Sequence, residues 1–471
     1  MRKKNKRQLF ENVAVIDAGA KGKSVAKAPD GRVIFLSNAI PGDVVDVQTT
    51  KKRKAYFEGT ATKFHKLSEK RTAPVCQHFG VCGGCKWQHM AYKHQLYYKQ
   101  NEVENNLKRI GGIELPKFTP ILGSKEQYFY RNKMEFSFSD SRWLTLEEIN
   151  SDQEIANKNA LGFHIPGMWD KILDIEKCHL QADPSNAIRL WVKSFAEKNK
   201  FQFYNPRQQK GLLRTLMIRT TSIGEIMVVL QFYDDDKTKR ELLLELLHKE
   251  FPEITSLQYV VNQKANDTIY DQEVICFLGR DHIFEEMEGL KFKINAKSFY
   301  QTNSGQAYEL YKITRDFADL TGEELVYDLY TGTGTIAQFV SKKAKKVIGI
   351  ESIPEAIIDA KANAENNRIA NVEFFVGDMK TIFDDDFIAK NGKPDVIITD
   401  PPRDGMHKLV VEQLLKVAPS KIVYVSCNSA TQARDLALLN EKYEVIKAQP
   451  VDMFPQTHHV ENVVLLRKRV R

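Results

Sequence analysis

Three apolar runs in the last third of the chain each lead into a segment with distinct chemistry. The runs are residues 325–330, 396–399 and 422–426, and they are followed by a glycine loop at 331–335, Asp-Pro-Pro-Arg at 400–403 and Cys427. Branched and aromatic runs of this length predict buried strands of a parallel sheet. Open α/β sheets bind ligands at the carboxyl ends of their strands. The sequence therefore predicts such a sheet, with a thiol, a carboxylate and a glycine loop at its binding edge.

Length and composition narrow the class of protein. A chain of 471 residues is too long for one hydrophobic core, so two to four domains are expected. No apolar stretch reaches the roughly 18 residues needed to span a bilayer, and no apolar segment of signal type follows the basic residues 2–7. Six cysteines are too few for a secreted disulfide scaffold. We therefore expect a cytoplasmic protein with reduced thiols and no membrane partner.

Positive charge is concentrated in two places. The net charge is +8, and basic residues crowd at 2–7 and 51–54. This distribution favours an anionic partner such as nucleic acid, although two solvated charged surfaces are an equally simple interpretation.

Short β-rich runs separated by turns occupy residues 8–64. The runs are 10–16, 32–36, 43–47 and 56–61, with turn sequences at 17–19, 29–31 and 41–43. Such spacing predicts a small five-stranded barrel of the oligonucleotide-binding type, with a generic small β domain as the alternative.

The remainder of the chain shows a different order of elements. A helix is predicted over 92–109, and residues 118–285 indicate a mixed α/β region with strands at 133–138, 214–219 and 225–232. From about residue 286 the order becomes strand, glycine loop, helix, strand. That alternation predicts βαβ units.

The glycine loop Thr331-Gly-Thr-Gly-Thr335 suggests a nucleoside cofactor. Small residues let the backbone pass close to a ligand at a strand–helix turn. The next predicted strand ends in Glu351, whose carboxylate can accept both ribose hydroxyls. The longer G-x-G-x-x-G nest that pyrophosphate needs is absent. S-adenosylmethionine is therefore favoured over a dinucleotide, and a purely structural turn remains the alternative.

Three cysteines lie within ten residues, as Cys76-x5-Cys82-Gly-Gly-Cys85, and Cys178 is a distant fourth. Four thiolates suit either structural zinc or a [4Fe–4S] cluster. Zinc sites more often use two paired C-x2-C hooks, and the second hook is missing here.

Cys427 and the Asp-Pro-Pro loop together indicate chemistry on a pyrimidine carbon. A thiolate that adds to C6 of uracil makes C5 able to attack a sulfonium methyl group. The prolines fix the backbone and remove amide donors, so the loop can hold a planar base beside Asp400. A buried structural cysteine is the alternative for Cys427. Arg403 is equally consistent with phosphate binding, with holding Asp400 and with an ordinary surface position, and His458 and His459 are expected to shape their loop.

Several segments carry a family resemblance. The chain resembles the bacterial 23S rRNA (uracil-5-)-methyltransferases, which carry an N-terminal TRAM domain and an iron–sulfur cluster, most closely at residues 76–88, 299–304, 328–336, 400–405, 425–437 and 454–465. The resemblance implies a multidomain fold. Its expected parts are an OB-like TRAM barrel that binds RNA at 1–64, a central α/β domain with the cluster loop at 65–285, and a Rossmann-like class I methyltransferase domain at 286–471.

The resemblance also assigns roles to individual residues. It implies that Cys427 is the nucleophile and Glu461 the base that removes the C5 proton. It implies that Asp378 lies near the adenine. The expected S-adenosylmethionine contacts are Gln301, Tyr330, Glu351 and Asp400, and the expected [4Fe–4S] ligands are Cys76, Cys82, Cys85 and Cys178.

The implied function is methyl transfer from S-adenosylmethionine to C5 of a uridine in 23S rRNA through a covalent cysteine–C6 adduct, by a protein assumed to be a monomer. The alternatives are a tRNA uracil-5-methyltransferase and a catalytically silent, RNA-binding ribosome-assembly factor. The transfer-RNA branch generally lacks the barrel and the cysteine cluster, which favours ribosomal RNA. Departures from the family pattern at Thr331, Ser429 and Asn462 leave the particular uridine open.

Overall fold

A computed structural model describes residues 7–151, 155 and 157–470. The chain divides into two compact units. We call the first the barrel unit; it comprises residues up to 127, residues 401–411 and residues from 424 onward. The second is the central unit, residues 128–400 and 412–423. None of the helices in the described part of the chain has the length and apolar character needed to cross a membrane.

The barrel unit begins with a closed five-stranded barrel of order β1-β2-β3-β5-β4. Its strands are β1 Leu9–Ala18, β2 Ser24–Lys27, β3 Val33–Ser37, β4 Val44–Lys52 and β5 Tyr56–Lys66. Alternate side chains point inward and form a core that includes Ile34, Val47 and Phe57. The four predicted runs are strands, and the five-stranded barrel is confirmed. The additional strand, β2, has only four residues, too few to show a clear period-two pattern.

Helix α1, Tyr92–Arg109, has the predicted limits. Its buried face follows helical spacing through Gln95, Tyr98, Lys99, Val103 and Leu107. Two of these side chains are polar, so this face needs hydrogen-bonding partners as well as apolar contacts.

The central unit contains a seven-stranded sheet of order β12-β11-β10-β9-β6-β7-β8 and a two-stranded sheet, β13-β14. The strands are β6 Lys133–Ser139, β7 Ala160–His164, β8 Ile172–Asp174, β9 Leu213–Thr220, β10 Ile226–Phe232, β11 Ser256–Val261, β12 Ile275–Gly279, β13 His282–Met287 and β14 Leu290–Asn295. The accompanying helices are α2 Leu146–Ile149, α3 Ser185–Lys198 and α4 Lys237–Glu250. The mixed α/β character predicted for this region is present.

A second seven-stranded sheet has the order β17-β16-β15-β18-β19-β21-β20. Its strands are β15 Leu325–Leu329, β16 Lys346–Glu351, β17 Val372–Val376, β18 Val396–Thr399, β19 Lys421–Ser426, β20 Tyr443–Val451 and β21 Glu461–Lys468. The helices are α5 Ser304–Ala318, α6 Thr335–Ser341, α7 Pro354–Asn366, α8 Met379–Ile382, α9 Asp385–Asn391, α10 Lys408–Val417 and α11 Ser429–Leu439. Strands β15 to β18 pair in parallel, as predicted, whereas β20 and β21 are antiparallel.

Candidate active site

The glycine loop between β15 and α6 uses left-handed backbone conformations. Tyr330, Gly332 and Gly334 have φ values of 63°, 56° and 74°. A Cβ atom on Gly334 would lie 2.6 Å from Cζ of Phe374, so this glycine is required for close packing. A Cβ on Gly332 would have no heavy atom within 4 Å. The loop is therefore packed against the protein at Gly334 and open at Gly332, where a ligand has room.

The carboxylate of Glu351 is fixed beside this loop. Its Oε2 accepts a hydrogen bond from the amide of Gly332 at 3.2 Å. Its Oε1 accepts from the amides of Ser352 and Ile353 at 2.7 and 3.1 Å. Three amide donors therefore hold the carboxylate of Glu351 in one orientation. The structure brings Glu351 and the glycine loop together, as the sequence predicted.

Two further carboxyl groups lie at the ends of β15 and β18. Asp328 is 1% exposed; its Oδ2 accepts from the Thr331 hydroxyl and from the amide of Ala337 at 3.1 Å. Its buried Oδ1 has no hydrogen-bond partner in the described chain. Burial, and then the charge of Glu351, raise the pKa of Asp328 to about 7. Burial, and then the charge of Asp328, likewise raise the pKa of Asp400 to about 7. A cationic ligand would favour the ionised forms.

The segment containing Gln301 is held by a residue that the sequence analysis missed. Asn132 Nδ2 donates to the carbonyl of Gln301 at 2.9 Å and to the hydroxyl of Ser304 at 2.8 Å. The amide of Asn132 donates to the carbonyl of Thr302 at 2.9 Å. An asparagine just before a predicted strand gives no sign of partners that lie about 170 residues later. Asp378 is exposed and caps α8, where it accepts from an amide of the helix at 3.0 Å.

In the barrel unit, partly buried Cys427 lies between the end of β19 and the start of α11. Asn428 begins that helix, with its Oδ1 accepting from the amide of Ala430 at 3.1 Å. Its Nδ2 donates to the carbonyl of Arg403 at 2.9 Å, and the hydroxyl of Thr431 donates to the same oxygen at 3.0 Å. The proline loop is thereby tied to the residues around Cys427. A helix N-terminus beside the thiol stabilises negative charge there.

Glu461 is the first residue of β21 and is 6% exposed. The following residue, Asn462, donates from Nδ2 to Oε1 of Gln432 at 2.8 Å. Gln432 returns a hydrogen bond from Nε2 to the carbonyl of Asn462 at 3.2 Å. Because Gln432 belongs to α11, this amide pair links the helix that follows Cys427 to the strand that starts with Glu461.

The loop before Glu461 is held by α1, a contact that the sequence did not reveal. Gln95 Nε2 donates to Oε1 of Gln456 at 2.9 Å, and the amide of Gln456 donates back to Oε1 of Gln95 at 3.0 Å. Lys99, which lies four residues after Gln95 on the same helix, forms an ion pair with Asp452. Helix α1 therefore fixes both ends of a short segment that leads to Glu461.

His458 and His459 lie in the same loop with their ring centroids 4.1 Å apart. Burial lowers the pKa of His458 to about 3, and the neighbouring positive charges of His459 and Lys86 contribute in the same direction. His458 is therefore neutral at physiological pH.

The predicted cysteine ligands do not form a metal site in the arrangement described. The amides of His78 and Phe79 hydrogen bond to the sulfur of Cys76, and burial raises the pKa of that thiol. In the central unit, the amide of Cys178 donates to Oδ1 of Asn186 at 2.8 Å. Across residues 7–151, 155 and 157–470, no three His, Cys, Asp or Glu side chains are grouped closely enough to hold a metal ion. Amides directed at sulfur suit a thiolate ligand, and the four cysteines are divided between the barrel unit and the central unit.

Comparison with known proteins identifies the family. A family model described as tRNA (uracil-5-)-methyltransferase matches residues 218–469, and the TRAM domain model matches residues 11–62. The chain belongs to the RNA uracil-5-methyltransferase family. It is an S-adenosylmethionine-dependent enzyme with an N-terminal TRAM barrel and a C-terminal methyltransferase fold, as the sequence predicted.

The relatives of this uracil-5-methyltransferase match along nearly their whole length. A protein of Bacteroides thetaiotaomicron, named an uncharacterized RNA methyltransferase, is 59% identical over 453 residues, or 96% of this chain and 100% of the relative. A Porphyromonas gingivalis protein with the same name is 54% identical, covering 96% and 98%. Among solved structures, the Pyrococcus abyssi tRNA (uracil-54, C5)-methyltransferase in complex with S-adenosyl-L-homocysteine has a TM-score of 0.75 and 28% identity, covering 96% and 100%.

Proposed function

We propose that this enzyme methylates C5 of a uridine in 23S rRNA through a covalent adduct between the sulfur of Cys427 and C6 of the base. The observation that carries this proposal is the link between α11 and β21 through Gln432 and Asn462. It ties the helix that begins just after the thiol to the strand that begins with Glu461. This link supports the proposal, because Cys427 and Glu461, the proposed nucleophile and base, adjoin elements that are held to each other.

The proposed chemistry conserves atoms and electrons at each step. The Cys427 thiolate forms a bond to C6, and the electrons of the C5=C6 double bond move to form an enolate on O4. S-adenosylmethionine, when bound, would supply the methyl group: the enolate electrons would form the new bond from C5 to the methyl carbon, the bond from that carbon to sulfur would break, and S-adenosylhomocysteine would leave with the former bonding electrons. Glu461 then accepts the C5 proton, the C5=C6 double bond re-forms, and the thiolate leaves C6.

The cofactor is proposed to occupy the open side of the glycine loop. The unpartnered Oδ1 of Asp328 and the space beside Gly332 support a ligand there. Glu351, already oriented by three amides, is proposed to accept the ribose hydroxyls. The remaining proposed contacts are Gln301, Tyr330 and Asp400.

The nature of the RNA has two candidates. The ribosomal assignment rests on the resemblance in the cysteine segment and the barrel. Transfer RNA is the second candidate, because the P. abyssi structure is that of a tRNA (uracil-54, C5)-methyltransferase and aligns with 96% of this chain. Alignment on that scale includes the barrel region, so the barrel does not distinguish the two substrates. Mass spectrometry of separately purified 23S rRNA and tRNA from a deletion strain should show loss of 5-methyluridine from 23S rRNA alone. Loss from tRNA alone would establish the second candidate.

We further propose that Cys76, Cys82, Cys85 and Cys178 bind a [4Fe–4S] cluster with a structural role. The amides directed at the sulfur of Cys76 support a thiolate ligand at that position. Anaerobically purified protein should contain iron and sulfide, and each of the four Cys→Ser variants should lose them, while Cys276→Ser should retain them. Stoichiometric zinc without sulfide would overturn the choice of metal.

Covalent catalysis is tested with RNA containing 5-fluorouridine. The analogue has no C5 proton to lose, so the wild-type enzyme should be trapped on it. Cys427→Ala should abolish both trapping and turnover. Cys276→Ala is the matched control, because Cys276 is exposed on β12, and it should behave like wild type. Normal methylation by Cys427→Ala would remove the nucleophile assignment.

The role of Glu461 is tested separately on unmodified RNA. Glu461→Gln should accumulate the methylated covalent adduct, because elimination is the step that needs a base. Glu444→Gln, a change at a partly exposed position on β20 that pairs with Arg467, is the control and should leave turnover unchanged. Rapid product release by Glu461→Gln would show that another group removes the proton.

A further inference from the structure

Three segments of the barrel unit meet around Gly22. The amides of Lys86 and Trp87 both donate to the carbonyl of Gln456, at 2.9 and 3.0 Å. A Cβ atom on Gly22 would lie 2.8 Å from Cδ of Lys86 and 3.4 Å from Cβ of His458. The turn after β1, the segment that follows the cysteines and the loop before Glu461 therefore pack directly against one another.

Positive charge accumulates at this junction. The Nζ of Lys86 donates to the carbonyl of Lys21 at 3.0 Å. Burial lowers the pKa of Lys86, and the charges of Lys23 and Lys21 add to the effect. We call Lys21, Lys23 and Lys86 the basic seam.

Little negative charge balances the basic seam. Lys23 forms an ion pair with Glu58 at 2.6 Å, and the same carboxylate lies 3.8 Å from Nζ of Lys51. Among the residues whose positions are described, Lys21 and Lys86 form no ion pair. Within the basic seam only Lys23 is paired with a carboxylate, so the seam keeps a positive charge to which an anion would bind favourably.

We propose that the basic seam binds a backbone phosphate of the RNA substrate, beside the loop that leads to Glu461. This inference deepens the proposed function, on which it rests for the identity of the substrate. Phosphate contacts position a nucleic acid irrespective of its sequence, and lysine ammonium groups are suitable donors to phosphate oxygens. Because Lys86 and His458 both pack on Gly22, RNA held at the seam would be anchored next to the loop of the catalytic base.

The test measures binding of fluorescein-labelled poly(U) over a range of KCl concentrations. Lys21→Ala and Lys86→Ala should each weaken binding and reduce the slope of log affinity against log salt by about 0.7, the single-strand value for one lost phosphate contact. Lys108→Ala removes the same charge from the exposed end of α1 and should leave the slope unchanged. Lys86→Arg should retain most of the wild-type slope.

The proposal would be overturned if Lys21→Ala and Lys86→Ala both kept the wild-type salt slope. It would also be overturned if Lys108→Ala reduced that slope as much as they do. Unchanged binding of S-adenosylhomocysteine by each variant shows that it is folded. Trapping on 5-fluorouridine RNA at saturating concentration separates this proposal from the proposed function. Seam variants should still be trapped there, whereas failure of wild type to be trapped would count against the covalent mechanism and not against the seam.

Discussion

Lys99 Nζ lies 2.5 Å from Oδ1 of Asp452, and neither side chain is exposed to solvent. The lysine also donates to the carbonyl of Phe454 at 3.1 Å, and Oδ2 of Asp452 accepts from the hydroxyl of Tyr92 at 2.9 Å. Each charge therefore has a neutralising partner and an additional hydrogen bond. The pair connects α1 to the start of the loop that leads to Glu461.

Removing one member of this pair should be strongly destabilising. Lys99→Met leaves the Asp452 carboxylate buried and uncompensated, which should lower the free energy of unfolding by about 3–5 kcal/mol. Adding Asp452→Asn to the same chain should recover part of that loss. Lys108→Ala, at the exposed end of the same helix, should change stability by less than about 0.5 kcal/mol. Urea denaturation measures all three variants, and equal stability of Lys99→Met and Lys108→Ala would contradict the prediction.

The two glycines of the loop after β15 should respond differently to alanine. Gly334→Ala forces a Cβ into the Phe374 ring, so the main effect should be a loss of folding stability. In Gly332→Ala the added Cβ would lie in open space. The substitution should therefore cost only the left-handed backbone strain of about 1–2 kcal/mol. Its larger effect should be weaker binding of S-adenosylhomocysteine, since the added methyl group enters the proposed ligand space. Calorimetric binding and denaturation should separate the two effects; full cofactor affinity in Gly332→Ala would place the ligand elsewhere.

Local patterns in the sequence predicted the strands that carry the site. The strands that end near Asp328, Asp400 and Cys427 are apolar because both faces of their sheet are covered. The ends of these strands can therefore be predicted from the extent of each apolar run. The partners that hold the site could not be predicted in this way. Gln95 and Gln456 are separated by 361 positions, and a glutamine on a helix carries no local signal of such a contact.

The cofactor site should be sensitive to pH near neutrality. The pKa of Asp328 is raised to about 7, so the carboxyl group of the free enzyme is largely protonated at pH 6. The sulfonium cation of S-adenosylmethionine favours the ionised form, and binding should therefore release a proton. Affinity for S-adenosylmethionine should be about tenfold weaker at pH 6 than at pH 8. The reason is that pH 6 lies about one unit below this pKa, and one pKa unit corresponds to about 1.4 kcal/mol. Calorimetry in two buffers measures the proton that is released on binding. Asp328→Asn should abolish this proton release.

The same raised pKa has an opposite consequence for the stability of the free enzyme. Between about pH 4 and pH 7 the folded protein holds a proton on Asp328 that the unfolded chain has lost. This contribution to stability is complete below the unfolded pKa and is lost as pH rises through 7. Asp328→Asn should flatten the pH dependence in that window. A wild-type stability that rises steadily from pH 4 to pH 7, with no difference in the variant, would contradict the assignment.

Asn132 should act as a positioning residue for the segment that contains Gln301. Asn132→Ala removes two side-chain hydrogen bonds, each contributing about 1 kcal/mol. We expect the KM for S-adenosylmethionine to rise about tenfold while kcat changes little. Asn157→Ala, at an exposed position in the same unit, is the control. A fall in kcat at unchanged KM would indicate that Asn132 serves the chemical step instead.

The barrel unit is assembled from stretches of chain that the ribosome makes far apart in time. Its first 127 residues emerge early, whereas residues 424 onward emerge only after the central unit, a delay of tens of seconds at about 5–20 residues per second. During that interval the barrel can close around its own core, but Lys99 on α1 has no Asp452 to pair with. The face of α1 that will hold the loop before Glu461 remains hydrated on the nascent chain. A prematurely terminated polypeptide would therefore display the barrel while lacking Cys427 and Glu461, the proposed nucleophile and base.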